Sequence, residues 1–365
     1  MGSATPSGAG HRAGAAQPSP ADDFWGSTDR ALEFLRIVLT AKQAPVGQTP
    51  KREVWRKNKS RLYRYTRTTP PTARTPVFLC LPLINRAYIL DLRPGHSFVE
   101  FLLDQGWDVF LYDWGVWGPE DRQVTITDLV TSYLPRAIRA ADRATGQAVT
   151  LLGYCIGGVL ATCFAALYPE APVKNLVLFT TPIDFTDAGQ FGRWTARGAF
   201  PIEQLRDTLA EVPAELIDLG AKMLNPLGAT VGTYLRLWQQ LQQPGFDPQA
   251  WQAMYRWVNE GVPFPTAAYH QWITEFYQEN KLVKGTLELG GRRVSLGTIR
   301  RPLLNVAATA DAIAPRSTTS AILQLVASAD KQELLLPGGH VGIVAGSGAR
   351  NQLGPAVAAW LRQHD

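Results

Sequence analysis

The chain has 365 residues, of which 45% are apolar and 18% charged, and its net charge is +5. This composition is typical of a soluble globular protein built around one large domain, and it argues against a disordered or membrane-spanning chain. The charge is too small to indicate a nucleic-acid partner. No segment approaches the roughly 18 consecutive apolar residues of a membrane helix, so we expect no transmembrane segment.

The N-terminal residues 1–23 are rich in Gly, Ala, Ser and Pro and contain no apolar run of signal-peptide length. We expect a disordered tail. The three cysteines, Cys80, Cys155 and Cys163, are an odd number in a large chain, which favours the reducing cytoplasm over a disulfide framework.

An amphipathic helix is predicted from about Thr28 to Ala41, with Ser27 or Thr28 as its cap. Residues 51–67 then combine a strand-like alternation with eight Lys or Arg side chains. A solvated strand face explains this segment better than a patch that binds phosphate or a partner.

From Pro76, short apolar strands alternate with helical patterns, which predicts an α/β domain with a mostly parallel sheet. We assign residues 24–182 and 299–365 to this core. Residues 183–298 interrupt the alternation and predict a mainly helical insertion that caps the sheet. Most aromatics between Trp251 and Tyr277 are expected to fill the cap's core and a minority to line a tunnel.

Residues 153–158 read GYCIGG between a predicted strand and a predicted helix, which is the setting of a nucleophile elbow. So sharp a turn leaves no room for side chains at the glycines, Gly153, Gly157 and Gly158. It would hold Cys155 in a strained backbone with its sulfur exposed at a helix N-terminus, which favours the thiolate. The N–H of Ile156 is one predicted arm of an oxyanion hole, and Ile84 or Asn85, after the strand VFLCL, is the other.

A thiol nucleophile needs a base, and five histidines are available. His340 follows the predicted strand QELLL in a glycine-flanked loop, where a doubly wound hydrolase sheet places its base. The other four occupy less suitable places: His11, His96, His270 and His364.

The acid that orients the base is expected between nucleophile and base in chain order. Asp311 ends the strand PLLNVAATAD and meets this condition. Asp113 and Asp184, which also lie near strand ends, are weaker candidates.

Cysteine in place of serine indicates acyl transfer rather than hydrolysis. An acyl group on cysteine is a thioester, close in energy to an acyl-CoA, so it can be loaded from CoA and passed to an alcohol.

Several segments together closely resemble the signature segments of polyhydroxyalkanoate synthases. They span most of residues 50–360 and are, in chain order, PLINRAYILDL (82–92), GWDVFLYDWG (106–115), GYCIGG (153–158), VLFTTPIDF (177–185), LNP (224–226), RWVNEGVPFP (256–265), FYQENKL (276–282) and PGGHVGI (337–343).

The resemblance implies an α/β-hydrolase fold with a cap and a synthase that polymerises (R)-3-hydroxyacyl-CoA, such as 3-hydroxybutyryl-CoA, with CoA as leaving group and no cofactor or metal. Cys155 would carry the acyl group or growing polyester chain, and His340 would remove protons from the thiol or the incoming hydroxyl. Asp311 would orient His340 or assist activation of the hydroxyl. The chain is similar in size to short catalytic subunits, which implies a companion subunit, a homodimer and a place at the surface of cytoplasmic polyester granules.

Two positions depart from the family pattern: Ala87 stands where proline is common, and Ala312 where a histidine often follows the acid. Two other functions stay open. Dienelactone hydrolases share the Gly-x-Cys-x-Gly-Gly elbow, although they are shorter and lack a cap of this size. A catalytically idle granule-associated scaffold is the other alternative, against which the intact triad argues.

Overall fold

The computed structural model describes residues 20–346 and 348–365. Most of the predicted disordered tail, residues 1–19, lies outside this range. Helix α1 (Pro20–Thr40) begins eight residues before the predicted start, so Ser27 and Thr28 lie within the helix and do not cap it. Proline is well tolerated at a first helical position because no N–H is needed there.

The core is an eight-stranded sheet, as the alternating pattern predicts, so the expectation of an α/β-hydrolase fold with a mostly parallel sheet is confirmed. The strand order is β1-β2-β4-β3-β5-β6-β11-β12, in which β1, β2 and β4 pair antiparallel and all later pairs are parallel. The strands of this sheet are β1 (Lys51–Lys57), β2 (Ser60–Tyr65), β3 (Val77–Cys80), β4 (Val109–Asp113), β5 (Val149–Tyr154), β6 (Val173–Phe179), β11 (Leu303–Ala308) and β12 (Lys331–Leu336).

Helices cover both faces of the sheet, which explains why β5 is buried along its whole length. One apolar cluster includes Phe164 and Ile138, and a second, on the opposite face, includes Leu102 and Trp360. The helices outside the cap are α2 (Phe98–Asp104), α3 (Ile126–Asp128), α4 (Leu134–Thr145), α5 (Ile156–Leu167), α14 (Arg316–Ser320), α15 (Ile322–Leu325), α16 (Gly342–Ala345) and α17 (Gly354–Gln363).

The insertion between β6 and β11 is mainly helical. Its helices are α6 (Gly189–Trp194), α7 (Ile202–Thr208), α8 (Ala214–Met223), α9 (Pro226–Ala229), α10 (Val231–Gln240), α11 (Pro248–Asn259), α12 (Thr266–Gln271) and α13 (Lys281–Lys284). It also contains two short antiparallel pairs that the sequence did not predict: β7 (Glu211–Val212) with β8 (Phe264–Pro265), and β9 (Glu288–Leu289) with β10 (Arg292–Arg293).

Three π-helical turns and four 3₁₀ turns complete the described chain. The π-helical turns are Leu129–Tyr133, Trp272–Gln278 and Ala349–Leu353. The 3₁₀ turns are Ala41–Gln43, Ala87–Asp91, Pro119–Asp121 and Leu296–Thr298. Within the described ranges, no helix is both long and apolar enough to cross a bilayer.

The basic segment 51–67 forms the β1–β2 hairpin at the edge of the sheet. Several of its cations are bound by neighbouring carboxylates: Arg64 Nη2 lies 2.5 Å from Asp108 Oδ2, and Lys59 Nζ lies 2.7 Å from Asp121 Oδ2. These carboxylates neutralise much of the positive charge of the segment, which favours the structural strand face over a site that binds phosphate.

Candidate active site

Cys155 occupies the sharp turn between β5 and α5 with φ 53° and ψ −129°, a backbone that side-chain-bearing residues rarely adopt. The sulfur-bearing side chain is half-buried, whereas those of Cys80 and Cys163 are fully enclosed. The turn therefore presents one of the three thiols to its surroundings.

Steric crowding explains the three glycines of the turn. A Cβ at Gly153 would lie 2.3 Å from Gly158 Cα, and one at Gly158 would lie 1.9 Å from Thr181 Oγ1. A Cβ at Gly157 would lie 2.4 Å from the carbonyl oxygen of Cys80. Helix α5 can thus approach β5 and the loop after β3 only because these positions lack side chains.

His340 and Asp311 meet beside this turn. The His340 Nδ1 atom lies 2.7 Å from Asp311 Oδ2, and both side chains are buried. The other carboxylate oxygen, Oδ1, accepts hydrogen bonds of 2.8 Å from the backbone N–H groups of Ile313 and Ala314. Because Asp311 occupies Nδ1, the free nitrogen of the imidazole is Nε2.

The electrostatics of His340 couple it to Cys155. Burial disfavours the charged imidazolium, but the charge of Cys155 and the hydrogen bonds to Asp311 and Cys155 outweigh it, and the pKa of His340 rises from 6.5 to about 10. The raised pKa therefore favours the imidazolium form of His340 at neutral pH, which can later return its proton.

Tyr154 contacts His340 through both its ring and its hydroxyl. Its ring centroid lies 5.4 Å from that of His340, and its hydroxyl donates a 3.3 Å hydrogen bond to the His340 carbonyl oxygen. Since Tyr154 directly precedes Cys155, the same strand end positions the thiol and braces the base. Sequence reasoning did not find this contact.

The predicted oxyanion-hole residues surround the same space. Ile156 is the first residue of α5, where N–H groups have no partner within the helix. Ile84 accepts a 2.8 Å hydrogen bond from the N–H of Val262, and Asn85 lies opposite Gly261 in an isolated antiparallel bridge. In such a pair the backbone groups of Asn85 point away from Gly261, which leaves its N–H free for a ligand.

Further contacts join this loop to the cap. The Trp257 indole donates a 2.9 Å hydrogen bond to the Arg86 carbonyl oxygen, and the Tyr88 hydroxyl donates one of 2.8 Å to Glu260. Arg86 is extended at φ −64° and ψ 137°, and the 3₁₀ turn starts at Ala87. A proline at position 87, as is common in the family, would fit the same backbone. Ala312, the other departure, is exposed beside Asp311.

A cavity of about 300 Å³ is lined by Cys155 and His340 on one side and by residues of the cap on the other. Ile84, Asn85 and Ile156 line it together with aromatic side chains of the cap, namely Trp257, Phe264, Tyr269, Trp272 and Tyr277. Trp251 and Tyr255 instead stack on each other at 4.8 Å, and Phe276 is buried in the core. The cavity is thus apolar with few polar groups, which suits an acyl chain.

The weaker candidates for the acid lie in other networks. Asp113 accepts a hydrogen bond from the N–H of Gly115, and Asp184 accepts one from Asn280. The other described histidines are also occupied or remote: His270 contacts Glu203, His364 contacts Asp330 and His96 is exposed, whereas His11 lies outside the described residues. Within the described chain, no three metal-ligating side chains come together.

Comparison with known proteins gives two family matches. The profile of the family described as "alpha/beta hydrolase fold" matches residues 91–346, and that described as "Poly-beta-hydroxybutyrate polymerase (PhaC) N-terminus" matches residues 41–102.

Curated relatives carry the name "Poly(3-hydroxyalkanoate) polymerase subunit PhaC". The protein from Haloferax mediterranei is 33% identical over 89% of this chain and 66% of its own length, and that from Allochromatium vinosum is 32% identical over 89% and 92%. The Synechocystis protein is 33% identical over 89% and 87%. Among solved structures, the monoacylglycerol lipase of Paleococcus ferrophilus shares the fold with a TM-score of 0.53 at 17% identity, over 83% of this chain and 99% of that one.

Proposed function

Because the chain belongs to the poly(3-hydroxyalkanoate) polymerase family, acyltransferases with an α/β-hydrolase fold, we propose that it polymerises (R)-3-hydroxyacyl groups from CoA thioesters through a thioester on Cys155. The observation that carries this proposal is that Cys155 and His340 line one apolar cavity, while Asp311 binds His340 from behind. No cofactor takes part, since CoA is only a leaving group.

Loading begins with attack of the Cys155 thiolate on the carbonyl carbon of the acyl-CoA thioester. The negative charge moves to the carbonyl oxygen, where the N–H groups of Ile156 and Asn85 stabilise it. When the intermediate collapses, the bond to the CoA sulfur breaks and the His340 imidazolium gives its proton to that sulfur. The products are free CoA and an acyl group on Cys155.

Elongation uses the same groups in the opposite direction. Neutral His340 takes the proton of an incoming hydroxyl, whose oxygen attacks the carbonyl carbon held on Cys155. An ester bond forms, and the thiolate leaves beside the newly protonated His340. Asp311 holds the imidazole so that Nε2 performs both transfers.

One assay tests the reaction. The chain is supplied with (R)-3-hydroxybutyryl-CoA, and both CoA release and insoluble polyester are followed for the unaltered protein, Cys155→Ala and Cys155→Ser. Of the three proteins, we expect only the unaltered one to form polymer. Free hydroxy acid without polymer would favour the dienelactone-hydrolase-like esterase, no CoA release would favour the scaffold, and polymer from the alanine variant would exclude Cys155 from the mechanism.

The proposal includes a homodimer and a companion subunit at the surface of cytoplasmic polyester granules. Exposed apolar side chains support a docking role: Leu32, Leu35 and Leu39 of α1 are 52–77% exposed, and α8 and α10 expose Leu219 and Leu235. An isolated chain is then expected to show low activity with a lag that the companion subunit removes. Equal specific activity with and without that subunit would contradict this part of the proposal.

A further inference from the structure

The proposed mechanism does not use the hydroxyl of Tyr277, a polar group of the cavity. This side chain lines the same cavity as Cys155 and is only partly buried. Among the residues that the structure describes, none forms a hydrogen bond with it. The hydroxyl is therefore available as a donor to a molecule that binds in the cavity.

Two other polar side chains of the cavity are bound within the cap. The Thr195 hydroxyl donates a 2.7 Å hydrogen bond to the Phe191 carbonyl oxygen, and Asp218 pairs with Lys222 at 2.5 Å. Tyr269 is the second phenol in the cavity that has no described partner. Tyr277 differs from Tyr269 in its surroundings, since its ring packs against Phe185 and Trp272, whereas the Tyr269 ring packs against Phe200 and Phe264.

The ring of Tyr277 is fixed by its neighbours. Its centroid lies 4.7 Å from that of Phe185 and 5.7 Å from that of Trp272. Phe185 is itself held by a 3.1 Å hydrogen bond from its N–H to Asn280 Oδ1, and Asn280 also binds Asp184. A hydroxyl on so constrained a ring has a preset direction, which is the property of a binding group.

Backbone geometry explains how Tyr277 reaches this position. It lies in the π-helical turn Trp272–Gln278, where the wider hydrogen-bonding pattern rotates side chains out of the register of α12. Single π-helical turns are frequent at functional sites. Burial and the charge of Cys155 both raise the pKa of Tyr277, so the phenol stays protonated and acts as a hydrogen-bond donor.

We propose that the Tyr277 hydroxyl donates a hydrogen bond to the oxygen at C3 of the acyl group carried on Cys155, and thereby selects 3-oxygenated acyl chains over plain ones. The inference rests on the proposed function and names a specificity-determining residue for it. The C3 oxygen is the feature that separates this substrate from an ordinary fatty acyl thioester, and it remains in place, as hydroxyl or ester oxygen, throughout chain growth.

The test compares (R)-3-hydroxybutyryl-CoA with butyryl-CoA, which lacks the C3 oxygen, in single-turnover acylation of Cys155. CoA release is measured by chromatography and the acyl adduct by intact mass. In Tyr277→Phe, we expect kcat/KM for acylation by the hydroxyacyl thioester to fall about tenfold, as loss of one hydrogen bond predicts, and that for butyryl-CoA to stay within about twofold. Tyr269→Phe is the matched control and should keep the preference of the unaltered protein.

The outcomes are distinguishable. Equal loss with both thioesters would show a packing role and overturn the inference, and so would an unchanged preference in Tyr277→Phe. Thermal unfolding of both variants verifies that the fold is retained. If the unaltered protein is acylated by neither thioester, the proposed function fails and the inference falls with it, whereas acylation without discrimination overturns the inference alone.

Discussion

Substitution of Gly157 by alanine tests whether the contact between α5 and the loop after β3 sets the geometry of the site. The added Cβ would lie 2.4 Å from the Cys80 carbonyl oxygen and 2.6 Å from the Leu81 carbonyl carbon. Both neighbours are backbone atoms in the sheet's centre, so no flexible side chain can move aside.

The size of the effect follows from these distances. Ordinary contacts of a Cβ begin near 3.4 Å, so α5 and the loop must separate by about 1 Å. Overpacking of this kind lowers the free energy of unfolding by about 1–3 kcal/mol. A displacement of about 1 Å between Cys155 and the donors of the oxyanion hole lowers kcat by about 10²-fold.

The assay measures CoA release from (R)-3-hydroxybutyryl-CoA and thermal unfolding for Gly157→Ala and for the control Gly297→Ala. At Gly297 the nearest atom to an added Cβ is Ser295 Oγ at 3.9 Å, so neither quantity should change appreciably. Full activity together with unaltered stability in Gly157→Ala would show that the crowding argument is wrong.

Three further predictions concern the triad and the thiols. Asp311→Asn should lower the rate of CoA release about 10²–10⁴-fold at pH 7, because His340 loses its carboxylate partner. The circular dichroism spectrum should stay unchanged, and a loss of rate below about threefold would contradict this role. Cys155→Ser removes a charge that raises the pKa of His340, so its titration midpoint by NMR should fall from about 10 towards 6.5. Because the pKa of His340 is raised in the folded state, its protonation stabilises the fold at low pH, and this contribution is lost as the pH rises through the folded-state pKa. Between pH 6.5 and about 10, the free energy of unfolding should therefore fall more steeply with pH in the unaltered protein than in Cys155→Ser. Finally, iodoacetamide at pH 8 should alkylate Cys155 alone in the folded chain, because burial raises the pKa of Cys80 and Cys163; mass spectrometry that finds either of them modified would refute this.

The parts of the site that sequence predicts well depend on local constraints. Gly153, Gly157 and Gly158 stand out because a sharp strand-to-helix turn excludes side chains there, and the same turn places Cys155. Asp311 and His340 follow from chain order in a parallel sheet, whose strand ends meet at one edge. Their mutual hydrogen bond is therefore foreseeable in type, although not in length.

Other features depend on tertiary contacts that no local pattern contains. A search for 3.6-residue periodicity does not detect the π-helical turn that carries Tyr277. The lack of a hydrogen-bond partner for its hydroxyl is visible only in the tertiary structure, where Phe185, Trp272 and the cavity surround the ring. The contact of Tyr154 with His340 joins residues 186 positions apart. The signal for Tyr277 was its place in FYQENKL, one of the segments that carried the resemblance, but this indicates importance without a role.

Hydrogen bonds to the loop after β3 hold the side of the cap that contains α11 more firmly than the side that contains α8. A movement of α11 and the segment that follows it would break the hydrogen bonds from Val262 to Ile84 and from Trp257 to Arg86, and would displace the loop that carries the predicted oxyanion-hole residues. No residue of α8 is fully buried, so this helix can shift at far lower energetic expense. We therefore expect a bulky ligand that enters the cavity to displace α8 more readily than the wall formed by α11 and the loop after β3.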